Sequence, residues 1–111
     1  MKQLLIILLI TLIALTIAFS PPALATDTAS GAKLFSVQCA GCHVNGGNIV
    51  RRGKTLKLKA LKRNGVDSLD GIASLVTNGK NNMPAYSDRL STEQIEDVSA
   101  YVLGQAQNGW R

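Results

Sequence analysis

The longest apolar stretch of the chain lies close to its N-terminus, at residues 4–19, where only two threonines interrupt the run. Lys2 places a positive charge before this stretch, and Pro21-Pro22 follows it. Ala23-Leu24-Ala25 then supplies the small-x-small pattern that precedes a signal-peptidase cleavage site. The pattern predicts a secretory signal peptide over residues 1–25, cleaved after Ala25.

The alternative for this stretch is a retained membrane anchor. A helix that crosses a bilayer needs about 20 apolar residues, and the run at residues 4–19 is shorter. We therefore expect residues 26–111 to form the mature protein, a single domain without stable membrane insertion. Removing residues 1–25 takes away Lys2 and no other charged residue, so the net charge falls from +5 to +4.

Within residues 26–111, four stretches carry apolar residues at helical spacing. They are residues 29–39, residues 54–63, a segment that begins at Asp67 or Ser68 and ends at Asn78-Gly79, and a segment that begins at Ser91. The second is ambiguous, because Leu56 and Leu58 alternate with lysines as in a strand, whereas Leu58 and Leu61 are three residues apart as in a helix. We interpret it as a short helix that ends at Asn64-Gly65, since no second strand is available for pairing.

The last stretch has the clearest start. Ser91 is placed to cap the helix, Gln94 completes a capping box, and Leu90 can pack against Ile95 as a hydrophobic staple. Residues 44–54 and 80–89 lie between the helical stretches and indicate loops. The fold class predicted from this pattern is all-α, with about four helices.

The supply of large side chains for a core is small. A domain of 86 residues remains after cleavage, and its aromatic residues are Phe35, Tyr86, Tyr101 and Trp110. Small exported domains usually compensate for a weak core with disulfides or metals, but two cysteines allow one disulfide at most. A covalently bound porphyrin would fill the missing volume.

Two cysteines and the only histidine of the chain lie together in Cys39-Ala40-Gly41-Cys42-His43. This Cys-x-x-Cys-His spacing lets both sulfurs form thioethers with the vinyl groups of one haem, while the histidine reaches the iron. One alternative is a disulfide or a redox-active dithiol. Another is a zinc site, which would be one ligand short of the usual four. Neither alternative requires a histidine directly after the second cysteine, so we predict one covalent haem c.

The second axial ligand of the iron is predicted by elimination. Met1 leaves with the signal peptide, so Met83 is the only thioether of the mature chain, and Pro84 restrains the loop that carries it. The competing interpretation is that Met83 only fills the core. A thioether ligand raises the reduction potential and occupies the position at which oxygen or peroxide would bind. We therefore expect an electron carrier and no enzyme. One alternative is a haem sensor or peroxidase-like protein with a labile Met83. Another is a haem-free thiol protein.

Basic residues dominate one part of the sequence. No acidic residue interrupts residues 51–63, which contain Arg51, Arg52, Lys54, Lys57, Lys59, Lys62 and Arg63. The stretch is either a solvated surface that partly neutralises the haem propionates or a docking surface for an acidic partner. Arg89, close to Met83 in sequence, is a second docking candidate. Because the basic residues are not interleaved with aromatic ones and the protein is expected to be exported, we predict no nucleic-acid binding.

The chain resembles the cytochrome c6 family, the small class I c-type cytochromes of cyanobacteria and algae. The resemblance covers essentially all of residues 26–111. It is carried by Gly31-Ala32-Lys33-Leu34-Phe35, Cys39 to His43, Asn78-Gly79-Lys80-Asn81-Asn82-Met83-Pro84-Ala85-Tyr86, Leu90-Ser91, and the ending from Tyr101-Val102-Leu103 to Gly109-Trp110.

The resemblance implies a class I cytochrome c fold, in which about four helices surround one covalent haem and the first and last helices cross. Gly31 and Phe35 would then meet the helix that carries Tyr101. It also implies a monomeric shuttle in the thylakoid lumen or periplasm, which carries electrons from the cytochrome b6-f complex to photosystem I or to a terminal oxidase. Leu75 departs from the family, because photosynthetic members typically have glutamine there, and this apolar residue favours a lower potential.

Overall fold

The structure, a computed structural model, describes residues 1–18 and 26–111. Its five α-helices are α1 (Lys2–Ala18), α2 (Thr28–Gln38), α3 (Leu58–Arg63), α4 (Leu69–Asn78) and α5 (Thr92–Gln107). Two 3-10 turns, Val44–Gly46 and Arg52–Lys54, lie between α2 and α3. The described residues form no strand, only an isolated bridge between Lys80 and Met83. The predicted all-α class is confirmed.

Residues 1–16 contribute nothing to the core. The large apolar side chains from Met1 to Leu15 are exposed, and the described residues of the core cluster belong to the later part of the chain. No helix in the described residues is both long enough and apolar enough to cross a membrane. The predicted cleavage site after Ala25 lies outside the described residues.

Helix α2 begins slightly earlier than the sequence pattern indicated. The carboxylate of Asp27 accepts hydrogen bonds from the backbone N–H groups of Ala29 and Ser30, both at 3.1 Å. Asp27 is therefore the N-cap, and the helix starts at Thr28 rather than at residue 29. The backbone N–H of Asp27 also donates to Oδ1 of Asp97 at 2.8 Å, which fastens the start of α2 to α5.

The crossing of α2 and α5 depends on Gly31. A Cβ atom at this position would lie 2.2 Å from the backbone oxygen of Asp97 and 2.9 Å from Cβ of Tyr101. Only glycine permits this approach. The contact between Gly31 and the helix that carries Tyr101, which the resemblance implies, is confirmed. The ring of Phe35, one turn later, packs against Tyr101 with the ring centres 5.4 Å apart.

The helix predicted over residues 54–63 is too long by one turn. Residues Arg52–Lys54 form a 3-10 turn, Thr55 and Lys57 are extended, and α3 begins at Leu58. The physical reason is a competing hydrogen bond, because the backbone N–H of Leu56 donates to the oxygen of Gly46 at 2.8 Å. This bond ties the segment to the loop that follows α2, and it excludes helical pairing there.

The remaining helix ends follow the predictions closely. Ser68, not Asp67, caps α4 by accepting a hydrogen bond from the N–H of Gly71. The capping box of Ser91 and Gln94 at the start of α5 is confirmed in both directions. Leu90 and Ile95 are both buried, as the predicted staple requires. The helices thus pack through α2 against α5 and α4 against α5, with α3 closing one end.

Candidate haem site

The chain turns sharply at the end of α2 and presents its two cysteines there. The backbone N–H groups of Cys39 and Ala40 both donate to the oxygen of Phe35, at 2.9 and 2.8 Å. The N–H groups of Cys42 and His43 then donate to the oxygen of Cys39, at 3.2 and 2.9 Å. This tight turn leads Cys39, Cys42 and His43 to the wall of one cavity.

The cavity has a volume of about 210 Å³. Protein interiors rarely contain voids larger than a water molecule, so an opening of this size between the helices is built to hold a group. Much of its wall is aliphatic or aromatic, and the buried lining includes Phe35, Leu61, Ile72, Val76, Tyr86, Val98 and Val102. One part of the wall is polar and basic, with Asn48, Arg51, Lys54 and Thr55. An apolar ring system with two carboxylates fits this combination.

The ring of His43 is oriented by the backbone. Its Nδ1 lies 2.8 Å from the carbonyl oxygen of Gly47. Because a carbonyl only accepts, Nδ1 must carry the proton, and the lone pair is left on Nε2. Metal-binding histidines commonly use their other nitrogen in this way, which fixes both the tautomer and the ring orientation. No local pattern predicts this role of Gly47; the only signal in the sequence is its position four residues after His43.

Met83 reaches the same cavity from a second, distant segment. Lys80 and Met83 exchange two backbone hydrogen bonds of 3.0 Å, which close a tight turn. Gly79 precedes the turn with φ +67°, and a Cβ atom there would lie 2.6 Å from the oxygen of Met83. The methionine therefore sits on a backbone that has few other conformations available.

Tyr86 fastens this segment to the helix that ends at the cysteines. Its hydroxyl donates to the oxygen of Gln38 at 2.9 Å, and its backbone N–H donates to Val76 at 2.9 Å. Burial raises the pKa of the Tyr86 hydroxyl above its usual value, so the group stays a donor. The guanidinium of Arg89 lies 5.3 Å from the centre of the Tyr86 ring, within the range of a cation–π interaction. The docking candidate Arg89 is thus also a packing partner.

Trp110 closes the site from the C-terminus. Its indole N–H donates to the oxygen of Leu56 at 2.9 Å. The ring lies so close to Gly46 that a Cβ atom there would be 2.4 Å away from it. Phe35 packs against Trp110 with a ring-centre distance of 5.2 Å. The last residues of the chain therefore hold the loop behind His43, a role that the sequence pattern alone did not reveal.

The two thiols differ in environment. Cys39 is half-buried and burial raises its pKa to about 11, whereas Cys42 is exposed. They are not joined in a disulfide. Among the described residues, no group of three or more His, Cys, Asp or Glu side chains could hold a metal ion. The zinc alternative therefore has no support in that part of the chain.

The structure brings all four predicted site residues to one cavity. Cys39, Cys42 and His43 arrive from the turn after α2, and Met83 arrives from the loop after α4. Leu75, the departure from the expected glutamine, also lines the cavity. The residues present thus fit one haem, with donors of the nitrogen and thioether type available to its iron.

Comparisons with known proteins agree with this arrangement. A family model described as "Cytochrome C oxidase, cbb3-type, subunit III" matches residues 26–102. A "Cytochrome c6-like" protein of Nostoc sp. is 56% identical over 111 residues, which is 100% of both chains. A crystal structure of cytochrome c6C from Synechococcus sp. is 59% identical with a TM-score of 0.70, covering 71% of this chain and 96% of that chain. Cytochrome c6 from the diatom Phaeodactylum tricornutum is 44% identical with a TM-score of 0.74, covering 76% and 99%.

The matches give two names, an oxidase subunit and cytochrome c6, and the extent of each match favours cytochrome c6. The family model bears the name of an oxidase subunit, but it matches part of the chain, whereas the Nostoc relative matches from end to end. The structural likeness to solved c6 proteins confirms the class I cytochrome c fold. The chain therefore belongs to the cytochrome c6 family, and it is a one-electron carrier with one covalently attached haem c.

Proposed function

We propose that Cys39 and Cys42 hold the haem through thioether bonds, and that His43 and Met83 are the axial ligands of its iron. The observation that carries this assignment is the convergence of the four side chains on one cavity from two segments of the chain. The haem iron supplies the change between the ferrous and ferric states. The protein supplies a proton-bearing Nδ1 on His43 that keeps Nε2 available, and a braced turn that keeps Met83 in place.

The same geometry supports a carrier that is not an enzyme. With Met83 on the iron, no position remains for a small molecule to bind and react. A sensor or peroxidase-like function would require Met83 to leave. The paired hydrogen bonds between Lys80 and Met83, and the tie from Tyr86 to Gln38, oppose that movement.

We further propose that the chain is cleaved after Ala25 and exported to the thylakoid lumen or the periplasm. There it takes electrons from the cytochrome b6-f complex and passes them to photosystem I, or to a terminal respiratory oxidase, through transient docking as a monomer. Support comes from the apolar N-terminal helix, whose residues 1–16 take no part in the core, and from the likeness to cytochrome c6 proteins.

A low-potential variant carrier with other partners is the second candidate. Leu75 lines the cavity where a glutamine would offer a polar contact, and polar contacts near a haem are one of the means by which proteins tune its potential.

Redox titration of the purified, haem-loaded protein tests these proposals. The photosystem I shuttle requires a potential close to that of the cytochrome b6-f donor, measured under the same conditions. A potential well below that donor contradicts the shuttle and supports the variant carrier. Leu75→Gln is the matched variant, and we expect it to raise the potential if the missing polar contact is the cause. Mass spectrometry of the same sample shows whether the N-terminus is Thr26 and whether the porphyrin is covalently bound.

A further inference from the structure

Exposed aliphatic side chains are concentrated in one loop of the haem domain. Within residues 26–111, the large hydrophobic side chains that are mostly exposed are those of Val37, Val44, Ile49 and Val50. Three of these four lie in the loop behind His43. The backbone N–H of Ile49 donates to the oxygen of Cys42 at 3.0 Å, so the loop runs along the cysteine turn. Ile49 is 71% exposed although it is a large apolar residue.

The loop is braced in this exposed form. Oδ1 of Asn48 accepts hydrogen bonds from the backbone N–H groups of Val50 and Arg51, at 2.9 and 2.8 Å. The amide nitrogen of Asn48 donates to the oxygen of Lys54 at 3.1 Å. This Asn-centred turn holds Ile49 and Val50 at its tip. Val50 also lines the haem cavity, whereas Ile49 does not, so Ile49 is the tip residue that can meet an external surface.

A basic surface adjoins this tip. The seven basic residues between positions 51 and 63 are all exposed, and no acidic residue interrupts them. The end of α3 packs onto the loop, because Arg63 and Asn64 both donate to the oxygen of Gly53, at 3.1 and 3.3 Å. In the described part of the chain, no carboxylate forms an ion pair with any of the seven. Arg51 and Lys54 line the haem cavity and face the carboxylates of the group it would hold. The charges available to an external anion are therefore those of Arg52, Lys57, Lys59, Lys62 and Arg63.

We propose that a basic–apolar surface binds an anionic lipid bilayer. It is made of the exposed residues of this region that do not line the haem cavity: Val44, Ile49, Arg52, Lys57, Lys59, Lys62 and Arg63. Basic residues near an anionic membrane each contribute about a fivefold gain in binding. Exposed aliphatic side chains beside them can enter the boundary between headgroups and acyl chains. An acidic protein surface would be satisfied by the charges alone, whereas an exposed aliphatic side chain on a braced turn beside basic residues suits lipid. The inference does not depend on which proteins exchange electrons with the haem.

The test is flotation of the haem-loaded protein with vesicles of phosphatidylcholine mixed with phosphatidylglycerol, and with vesicles of phosphatidylcholine alone. We expect binding to the mixed vesicles at low salt, little binding to the neutral ones, and release as salt screens the charges. Arg52→Gln, Lys59→Gln and Lys62→Gln should each weaken binding about fivefold. Ile49→Ser should weaken it by about five- to tenfold, because one aliphatic side chain no longer enters the lipid.

Controls on α2 separate this surface from general effects. Val37→Ser removes an aliphatic side chain that is 79% exposed, and Lys33→Gln removes one exposed charge, both outside the surface. Neither should change binding by more than about twofold. None of Ile49, Arg52, Lys59 and Lys62 lines the haem cavity, so the absorption spectrum and potential of those variants should match the parent. The parent and all variants must have the same N-terminus, which mass spectrometry establishes.

Two results would overturn the proposal. The first is no difference between anionic and neutral vesicles at low salt. The second is weakened binding in the charge variants with unchanged binding in Ile49→Ser, which would show adsorption by charge alone, with no aliphatic side chain entering the lipid.

Discussion

The contact between α2 and α5 makes Gly31→Ala the sharpest test of the packing argument. Gly31 is buried, and a Cβ atom there would lie 2.2 Å from the backbone oxygen of Asp97. Cβ atoms in real proteins essentially never approach another atom within 3.0 Å. The two helices must therefore separate by roughly 1 Å at their crossing, and a gap of that size forfeits a quarter to a half of each dispersion contact.

The expected loss follows from two opposed effects. Overpacking a well-filled core costs about 1–3 kcal/mol, and the upper end applies here because the obstacle is backbone and not a flexible side chain. Replacing glycine by alanine inside a helix returns about 1 kcal/mol. We expect a net loss of about 2 kcal/mol in the free energy of unfolding, or a lowering of Tm by roughly 8–16 °C for a domain of this size.

Gly104 supplies the matched control, because it is also a helical glycine, in α5, but a Cβ atom there meets nothing within 4 Å. Gly104→Ala should raise the free energy of unfolding by up to about 1 kcal/mol. Thermal or denaturant unfolding of the haem-loaded proteins, followed by circular dichroism, measures both variants. If the free energy of unfolding of Gly31→Ala lies within about 0.5 kcal/mol of the parent value, the two helices do not approach each other this closely in solution.

Three further predictions concern the site and its supports. Met83→Ala should lower the reduction potential and abolish the long-wavelength absorption band of ferric iron bound to sulfur. It should also let carbon monoxide bind the reduced protein. An unchanged potential and unchanged carbon monoxide reactivity would refute the assignment of Met83 as an axial ligand. Tyr86→Phe leaves the oxygen of Gln38 without its hydrogen-bond donor and should lower the free energy of unfolding by about 1–2 kcal/mol. Carbon monoxide should also bind faster than in the parent, because the Met83 segment is less firmly held. If stability and carbon monoxide binding both stay unchanged, Tyr86 does not brace this segment. Ser99 is 0% exposed and its hydroxyl has no hydrogen-bond partner. In a denaturant titration, Ser99→Ala should therefore leave the free energy of unfolding unchanged or raise it by about 1 kcal/mol. A loss larger than that would show that the hydroxyl makes a hydrogen bond that the structure lacks.

The architecture explains how so few large side chains make a working core. Phe35, Tyr101 and Trp110 pack on one another on one side of the haem cavity. Tyr86 and Trp110 each send one hydrogen bond across a long sequence separation, to Gln38 and to Leu56. The cavity lies between these ties. The haem therefore occupies volume that other proteins of this size would need to fill with side chains.

Local sequence determined much of this protein. The order of the residues in Cys39 to His43 specifies the chemistry without any knowledge of the fold. The capping box at Ser91 and the stop at Gly79 depend on neighbouring residues only, and both are where the pattern predicted them. Elimination predicts Met83 as the second iron ligand, because no other thioether remains in residues 26–111.

Tertiary structure decided the features that depend on distant partners. The helix predicted over residues 54–63 lost its first turn to a hydrogen bond between Leu56 and Gly46, a pairing that no local pattern reports. The carbonyl of Gly47 selects the tautomer of His43, and Trp110 holds the loop behind it. Spacing and caps act over a few residues, so a single sequence reveals them; contacts between residues far apart in the chain exist only once the helices have packed.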